Sequence, residues 1–215
     1  MSILLLTKRT VWCRTVQALL RGRAPDSLII EGERSDPLPD AVSSWSGDYL
    51  LSFVAPWIVP PAALGRARKS AINFHPGPPE YPGIGCYNFA LYDNVSEYGV
   101  TCHEMTPAVD TGPILKVVRF PVTAADTVET LKARSMEHMV RLFGQIVAAL
   151  LTGEHVGRSA DRWMRRPFRR RDLDDLCRID PAMSEEEVQR RIRATRFPGA
   201  PGPFLELGGH RFVLE

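Results

Sequence analysis

Apolar and polar positions along this chain alternate between two periods. Ser2 to Thr7 contains the run Ile3-Leu4-Leu5-Leu6, which predicts a short strand buried on both faces. Thr10 to Arg21 places Val11, Val16, Leu19 and Leu20 at helical spacing, and Gly22 predicts the stop. Ser27 to Ile30 and Asp48 to Val54 read as the second and third strands. The loop between them, punctuated by Pro37, Pro39 and Gly47, has room for one short helix, and Pro60-Pro61 suits the first turn of another. Ser70 to His75 predicts a fourth strand, followed by a loop rich in proline and glycine from Pro76 to Gly85. Cys86 to Asp93 reads as a helix, and Tyr98 to Met105 and Pro113 to Val122 as strands. Thr127 to Leu151 has the period of a long helix, with Asp126 as expected N-cap and Gly153 as stop.

Strands alternating with helices imply an α/β fold, a largely parallel sheet with helices on both faces. Ligands of such sheets sit beyond the carboxyl ends of the strands, where sequence order puts His75 and the loop carrying Asp110. Residues 1–153 are therefore expected to form the main domain. Residues 154–215 are expected to be a basic linker and a small C-terminal helix and β-hairpin appendage, too short for a confident domain of its own. Within it, Ser184 to Thr195 reads as a helix with Ser184 as N-cap and Glu187 at the capping-box position. Pro203 to Leu214 reads as a hairpin turning at Gly208-Gly209.

The 215 residues are 44% apolar and 24% charged, with a formal net charge of +2, so bulk charge calls for neither nucleic acid nor an anionic membrane. Ile3 to Leu6 is too short for a secretory signal, and Lys8 and Arg9 follow it rather than precede it. No segment approaches the roughly 20 apolar residues needed to span a bilayer, so a cytoplasmic location is expected. Cys13, Cys86, Cys102 and Cys177 are scattered, which reads as four unbridged thiols and no metal site. Charge is uneven, however: Arg158, Arg162, Arg165, Arg166, Arg169, Arg170 and Arg171 surround Trp163 and Phe168. Three readings stay open: a solvated face paired to Asp172, Asp174 and Asp175; arginines gripping a diphosphate while an aromatic stacks on a nucleobase; or an RNA patch, which the small net charge weakens.

The chemistry is concentrated between residues 72 and 114. Asn73 and His75 are two apart on a strand, so their side chains share a face. Asp110, in the loop between neighbouring strands, is within reach of that imidazole, and a carboxylate there fixes the tautomer of histidine and raises its basicity. Such a trio suits transfer of a carbonyl-level group to an amine: His75 takes the proton the amine must lose, and the Asn73 amide donates to the developing oxyanion, worth about 3 kcal/mol. Each residue alone has a bland alternative. His75 would be a satisfied core or surface histidine, Asn73 a strand-end cap, and Asp110-Thr111-Gly112 an ordinary turn.

The order Asn73-Phe74-His75-Pro76, a loop through Tyr81-Pro82-Gly83, then Gly99-Val100-Thr101-Cys102-His103 and Val109-Asp110-Thr111-Gly112-Pro113-Ile114, resembles the folate-dependent formyltransferases over roughly residues 48 to 122. The resemblance implies a Rossmann-like formyltransferase fold, with 10-formyltetrahydrofolate as co-substrate and catalytic roles for Asn73, His75 and Asp110. It also implies pterin binding between Phe53 to Val59 and Thr106 to Gly112, giving Phe53, Trp57, Ile58, Val59, Val109, Thr111 and Gly112 as cofactor-binding candidates. Trp57 is equally readable as a core or rim residue. Gly77, Pro78, Tyr81 and His103 are the candidates on the acceptor side.

The branches of that family differ outside the shared core. Phosphoribosylglycinamide enzymes carry a glycine-rich phosphate loop after the first strand, whereas Leu6 to Val11 contains no glycine. Methionyl-tRNA enzymes carry a large C-terminal barrel, for which this tail is too short. The loop from His75 to Tyr81 and the tail through Phe197-Pro198-Gly199 look more like the sugar-nucleotide branch. That likeness implies an acceptor such as a GDP- or dTDP-linked 4-amino-4,6-dideoxy sugar, a role in lipopolysaccharide O-antigen synthesis, and a homodimer. A hydroxyornithine or other small-amine formyltransferase, a methionyl-tRNA-like enzyme and an inactive folate-binding homologue are the alternatives.

Overall fold

The four leading strands each send alternate residues to opposite sides, and both sides are buried. A computed structural model, which describes residues 1–200 and 202–214, places β1 (Ile3–Lys8), β2 (Leu28–Gly32), β3 (Gly47–Phe53) and β4 (Ala67–His75) in parallel. β5 (Glu97–Glu104) and β6 (Ile114–Pro121) complete the sheet antiparallel, in the order β2-β1-β3-β4-β5-β6. Ile3, Leu5, Leu51, Phe53, Ile72 and Phe74 face one side. There they pack on Cys13, Val16 and Leu20 of α1 (Val11–Arg23) and on the apolar stripe of the long helix α5 (Val128–Thr152). Leu4, Leu6, Leu50 and Ala71 face the other side, covered only by α2 (Asp40–Ser44) and α3 (Pro61–Leu64). Those two helices have five and four residues, so the carboxyl ends of β3 and β4 stay uncovered on that side. By alternation it is the side to which Asn73 and His75 point.

The chain after α5 returns over the loop that follows β4. Beyond α4 (Cys86–Tyr92), the remaining elements are α6 (Arg170–Cys177), β7 (Arg178–Ile179), α7 (Glu185–Thr195), β8 (Phe204–Leu207) and β9 (His210–Val213). β7, β8 and β9 form a second, three-stranded sheet, in which β8 and β9 are the expected hairpin with Gly208 and Gly209 at positive φ. Residue 215, the outer bound expected for the appendage, lies outside the described residues. All four cysteines are buried, and no helix among the described residues is long and apolar enough to cross a membrane.

Three local expectations are corrected. Thr127, not Asp126, caps α5: its hydroxyl accepts from the Thr130 N–H while the Thr130 hydroxyl accepts from the Thr127 N–H. The Asp126 carboxylate is instead engaged by Thr123, Thr130 and Arg134. Gly22 does not end α1, which runs on to Arg23. Ser184 caps α7 as expected, but the Glu187 side chain turns to the Tyr92 hydroxyl and to Arg191 rather than closing a capping box, because charged and aromatic partners outbid a backbone N–H.

Candidate active site

Pairing between β4 and β5 puts Asn73 opposite His103, and pairing between β3 and β4 puts Ser52 opposite Asn73. Cross-strand partners share a face, so Ser52, Asn73 and His103 form one row, with His75 the next same-face position on β4. The loop from Met105 to Pro113 folds back over this row and delivers Asp110. One carboxylate oxygen of Asp110, Oδ2, lies 3.1 Å from His75 Nδ1 and accepts from the Gly83 N–H at 2.8 Å. The other, Oδ1, lies 3.2 Å from His103 Nε2 and 3.5 Å from Asn73 Nδ2. Asp110 holds φ at 47° to do this, and Val54, across the cleft, holds φ at 46°. Non-glycine residues in that left-handed region cost backbone energy and collect at functional sites.

Burial alone would raise the Asp110 carboxyl. The imidazoles of His75 and His103 and the Gly83 amide outweigh it, so the group is held well below the usual carboxylate range. His103 Nδ1 lies 2.8 Å from its neighbour's carbonyl, that of Glu104, to which it can only donate. In the neutral ring Nε2 then carries the lone pair and accepts from Asn73 Nδ2, 3.1 Å away. A second proton on the ring would turn that nitrogen to Asp110. His75 Nε2 lies 3.0 Å from the Tyr81 carbonyl. A neutral His75 therefore satisfies either Asp110 or Tyr81 with its single N–H.

These groups form the floor of a cleft of about 270 Å³ with largely apolar walls: Val54, Trp57, Ile58 and Val59 on one side, Met105 and Val109 on the other. Of the expected cofactor-binding residues, the structure brings Trp57, Ile58, Val59 and Val109 together here. Phe53 is a correction: strand alternation sends its ring to the opposite face, fully buried against Phe74 and Phe143, and Ser52 and Val54 line the cleft in its place. Thr111 and Gly112 are outside the lining as well. The Thr111 hydroxyl closes the loop onto Thr106 and the Ala108 carbonyl, and Gly112 sits so close to the Glu104 carbonyl that a Cβ there would lie 1.9 Å from it. Trp57 is pinned by donating Nε1–H to the Asp36 carbonyl, with its ring against Gly32.

Of the acceptor-side candidates, only His103 reaches the cleft. Gly77 and Pro78 are buried in the loop packing. Tyr81 is buried too, its hydroxyl donating to Asp93 at 2.8 Å. The sequence reading missed Ser52, Met105, the Tyr81 carbonyl and the Gly83 amide. A polar residue inside the apolar run Leu50-Leu51-Ser52-Phe53 was a readable signal for the first; backbone groups leave none.

The basic stretch is a strap over the loop that follows β4. The Ser159 N–H donates to Ile114, Met164 to Pro79 and Phe168 to Pro82, while the Ile84 N–H donates back to Phe168. The Phe168 ring stacks on Phe89, with centroids 3.7 Å apart. Trp163 stands edge-on to the His103 and His75 rings, at 5.0 and 5.9 Å. The Phe168 ring is thus taken up by Phe89, and the Trp163 indole is turned to the two imidazoles. Arg166 makes a bidentate pair with Asp172, Arg158 pairs with Glu104, and Arg165 lies over the Tyr81 and Phe168 rings.

A model of the formyl transferase family matches residues 32–147. The chain is 27% identical over 177 residues to a GDP-perosamine N-formyltransferase of Brucella melitensis, aligning with 80% of this chain and 66% of that protein. It thus spans just under two thirds of the length of that relative. Among solved structures, a sugar N-formyltransferase from a Shewanella species superposes with a TM-score of 0.81 at 15% identity, covering 100% of this chain and 96% of that one. An N-formyltransferase from Helicobacter canadensis, solved in complex with folinic acid and dTDP-3-aminofucose, superposes with a TM-score of 0.76 at 16% identity, covering 97% of this chain and 85% of that one.

Proposed function

Because this chain belongs to the formyl transferase family, we propose that it moves the formyl group of 10-formyltetrahydrofolate onto the amino group of a nucleotide-linked amino-dideoxy sugar. The observation that carries this reading is the arrangement at the cleft floor. One buried carboxylate, Asp110, engages two imidazoles, and the Asn73 amide lies beside them under apolar walls. Those walls suit a flat, largely apolar pterin, held between Trp57, Ile58 and Val59 on one side and Met105 and Val109 on the other.

In the reaction, the lone pair of the neutral amine attacks the formyl carbon, forming a C–N bond and an oxyanion. The Asn73 amide donates to that oxyanion. His75, oriented by Asp110, takes the proton the amine loses, once its Nε2 leaves the Tyr81 carbonyl. Collapse of the intermediate breaks the bond between the formyl carbon and the folate nitrogen, which receives that proton, releasing tetrahydrofolate. The GDP-perosamine enzyme and the structure holding dTDP-3-aminofucose support an amino sugar nucleotide as the acceptor class.

The test is acceptor-dependent release of tetrahydrofolate from 10-formyltetrahydrofolate. The panel holds GDP- and dTDP-linked 3-amino and 4-amino dideoxy sugars, hydroxyornithine, phosphoribosylglycinamide and methionyl-tRNA. An amino sugar nucleotide is expected to be turned over, and His75→Ala to lower the rate about 100-fold or more with the fold intact. Turnover of another acceptor alone would overturn the substrate class, and a near-wild-type rate in His75→Ala would overturn the mechanism.

A further inference from the structure

Given the formyl-transfer reading above, we infer that Trp163 is a positioning residue that holds His75 and His103 in register with Asp110. Trp163 comes from the strap, outside residues 32–147. Its indole stands at 88° to the His103 ring and 72° to the His75 ring, so one rigid group limits the tilt of both. Among the described residues, no other aromatic ring lies against either imidazole.

The indole is held by its own N–H and by the backbone bonds that anchor the strap carrying it. Its Nε1–H donates to the Gly112 carbonyl at 2.8 Å, two residues past Asp110. Gly112 cannot drift toward β5, because its α-carbon already packs against the Glu104 carbonyl. On the strap, the Met164 N–H is bonded to the Pro79 carbonyl, and Ser159 to the Ile114 carbonyl. Further along, the backbone pair between Phe168 and the Pro82 to Ile84 segment secures the loop whose Gly83 N–H reaches Asp110 and whose Tyr81 carbonyl reaches His75. Asp110 thus positions the imidazoles through their nitrogens, and Trp163 positions them through their ring planes. Trp163 is not part of the cleft lining, so its effect falls on the geometry of the floor rather than on the fit of the folate.

Trp163→Ala and Trp163→Phe test this in the full chain. Trp163→Ala is expected to lower kcat about 10- to 100-fold, the scale of a misplacement near 1 Å. The KM for 10-formyltetrahydrofolate and the affinity for tetrahydrofolate by calorimetry should stay within about twofold, since uniform binding is untouched. Trp163→Phe keeps an aromatic edge against the imidazoles and is expected to recover most of kcat. A lower melting temperature with kcat unchanged in Trp163→Ala would reduce Trp163 to a packing residue and overturn the inference. Imidazole ¹⁵N spectra of the resting protein supply a readout free of turnover. The tautomer pattern of His75 and His103 should change in Trp163→Ala, and an unchanged pattern overturns the inference even if wild type turns over none of the acceptors. Changed spectra with an inactive wild type would leave the positioning role standing and defeat the formyl-transfer reading alone.

Discussion

Gly77→Ala should disable the proposed chemistry without unfolding the protein. A Cβ at this position would lie 2.7 Å from His75 Nε2, 2.9 Å from the Tyr81 carbonyl oxygen and 2.9 Å from the Cys86 Cβ, where ordinary contact begins near 3.4 Å. The largest shortfall is therefore about 0.7 Å (3.4 minus 2.7). Two of the three neighbours are a backbone oxygen and a Cβ at the start of a helix, so the imidazole yields most readily. Overpacking of this kind costs about 1–3 kcal/mol of stability. Displacing a catalytic ring by most of an ångström costs about 100-fold in rate. The assay is tetrahydrofolate release at saturating donor and acceptor, with thermal melting alongside. Gly22→Ala is the matched control: nothing lies within 4 Å of its Cβ, and it sits inside α1, so it should gain up to about 1 kcal/mol and keep full activity. A Gly77→Ala enzyme with kcat within about twofold of wild type would refute the claim that His75 must hold this orientation.

Two other outcomes are expected. The folded-state pKa of Asp110 is depressed, so its stabilising contribution is fully present above the ordinary aspartate value near 4 and is lost as pH falls through the lower folded-state value. Asp110→Asn should therefore flatten the acid limb of the stability curve, and identical acid limbs in urea melts from pH 7 to 2 would contradict the assignment of that charge. Tyr81→Phe removes one hydroxyl donated to Asp93 and should cost about 1 kcal/mol while kcat/KM for the acceptor stays near wild type. A large loss of acceptor kcat/KM would restore Tyr81 to the substrate side.

Much of the candidate site was legible because its parts recur at strand spacing. Asn73 and His75 two apart, His103 in the next strand and Asp110 in the following loop are positions that a period of two and a tight connection bring together. Phe53 shows where such reading fails: a residue next to the cleft in sequence is turned from it by a single step of alternation. Tyr81 and Gly77 meet the site in another way. Their loop contributes backbone groups and close packing, and neither has a side-chain signature. In the arginine-rich stretch, three readings stay open from sequence, and the structure adds that Trp163, Phe168 and the backbone bonds around them tie it to the loops of the site.

The sequence by itself determined the local quantities: the strand and helix periods, the α/β class, the hairpin at Gly208-Gly209 and the ordered polar residues that carry the family resemblance. These depend on neighbours within a few positions, where side-chain direction follows from the backbone period. The tertiary structure alone decided which side of the sheet two short helices leave open, how Asp110 is shared between two histidines, and that a strap far downstream of Asp110 brings Trp163 against them. Those outcomes rest on packing and hydrogen bonds between segments remote in sequence, whose partners no local pattern specifies.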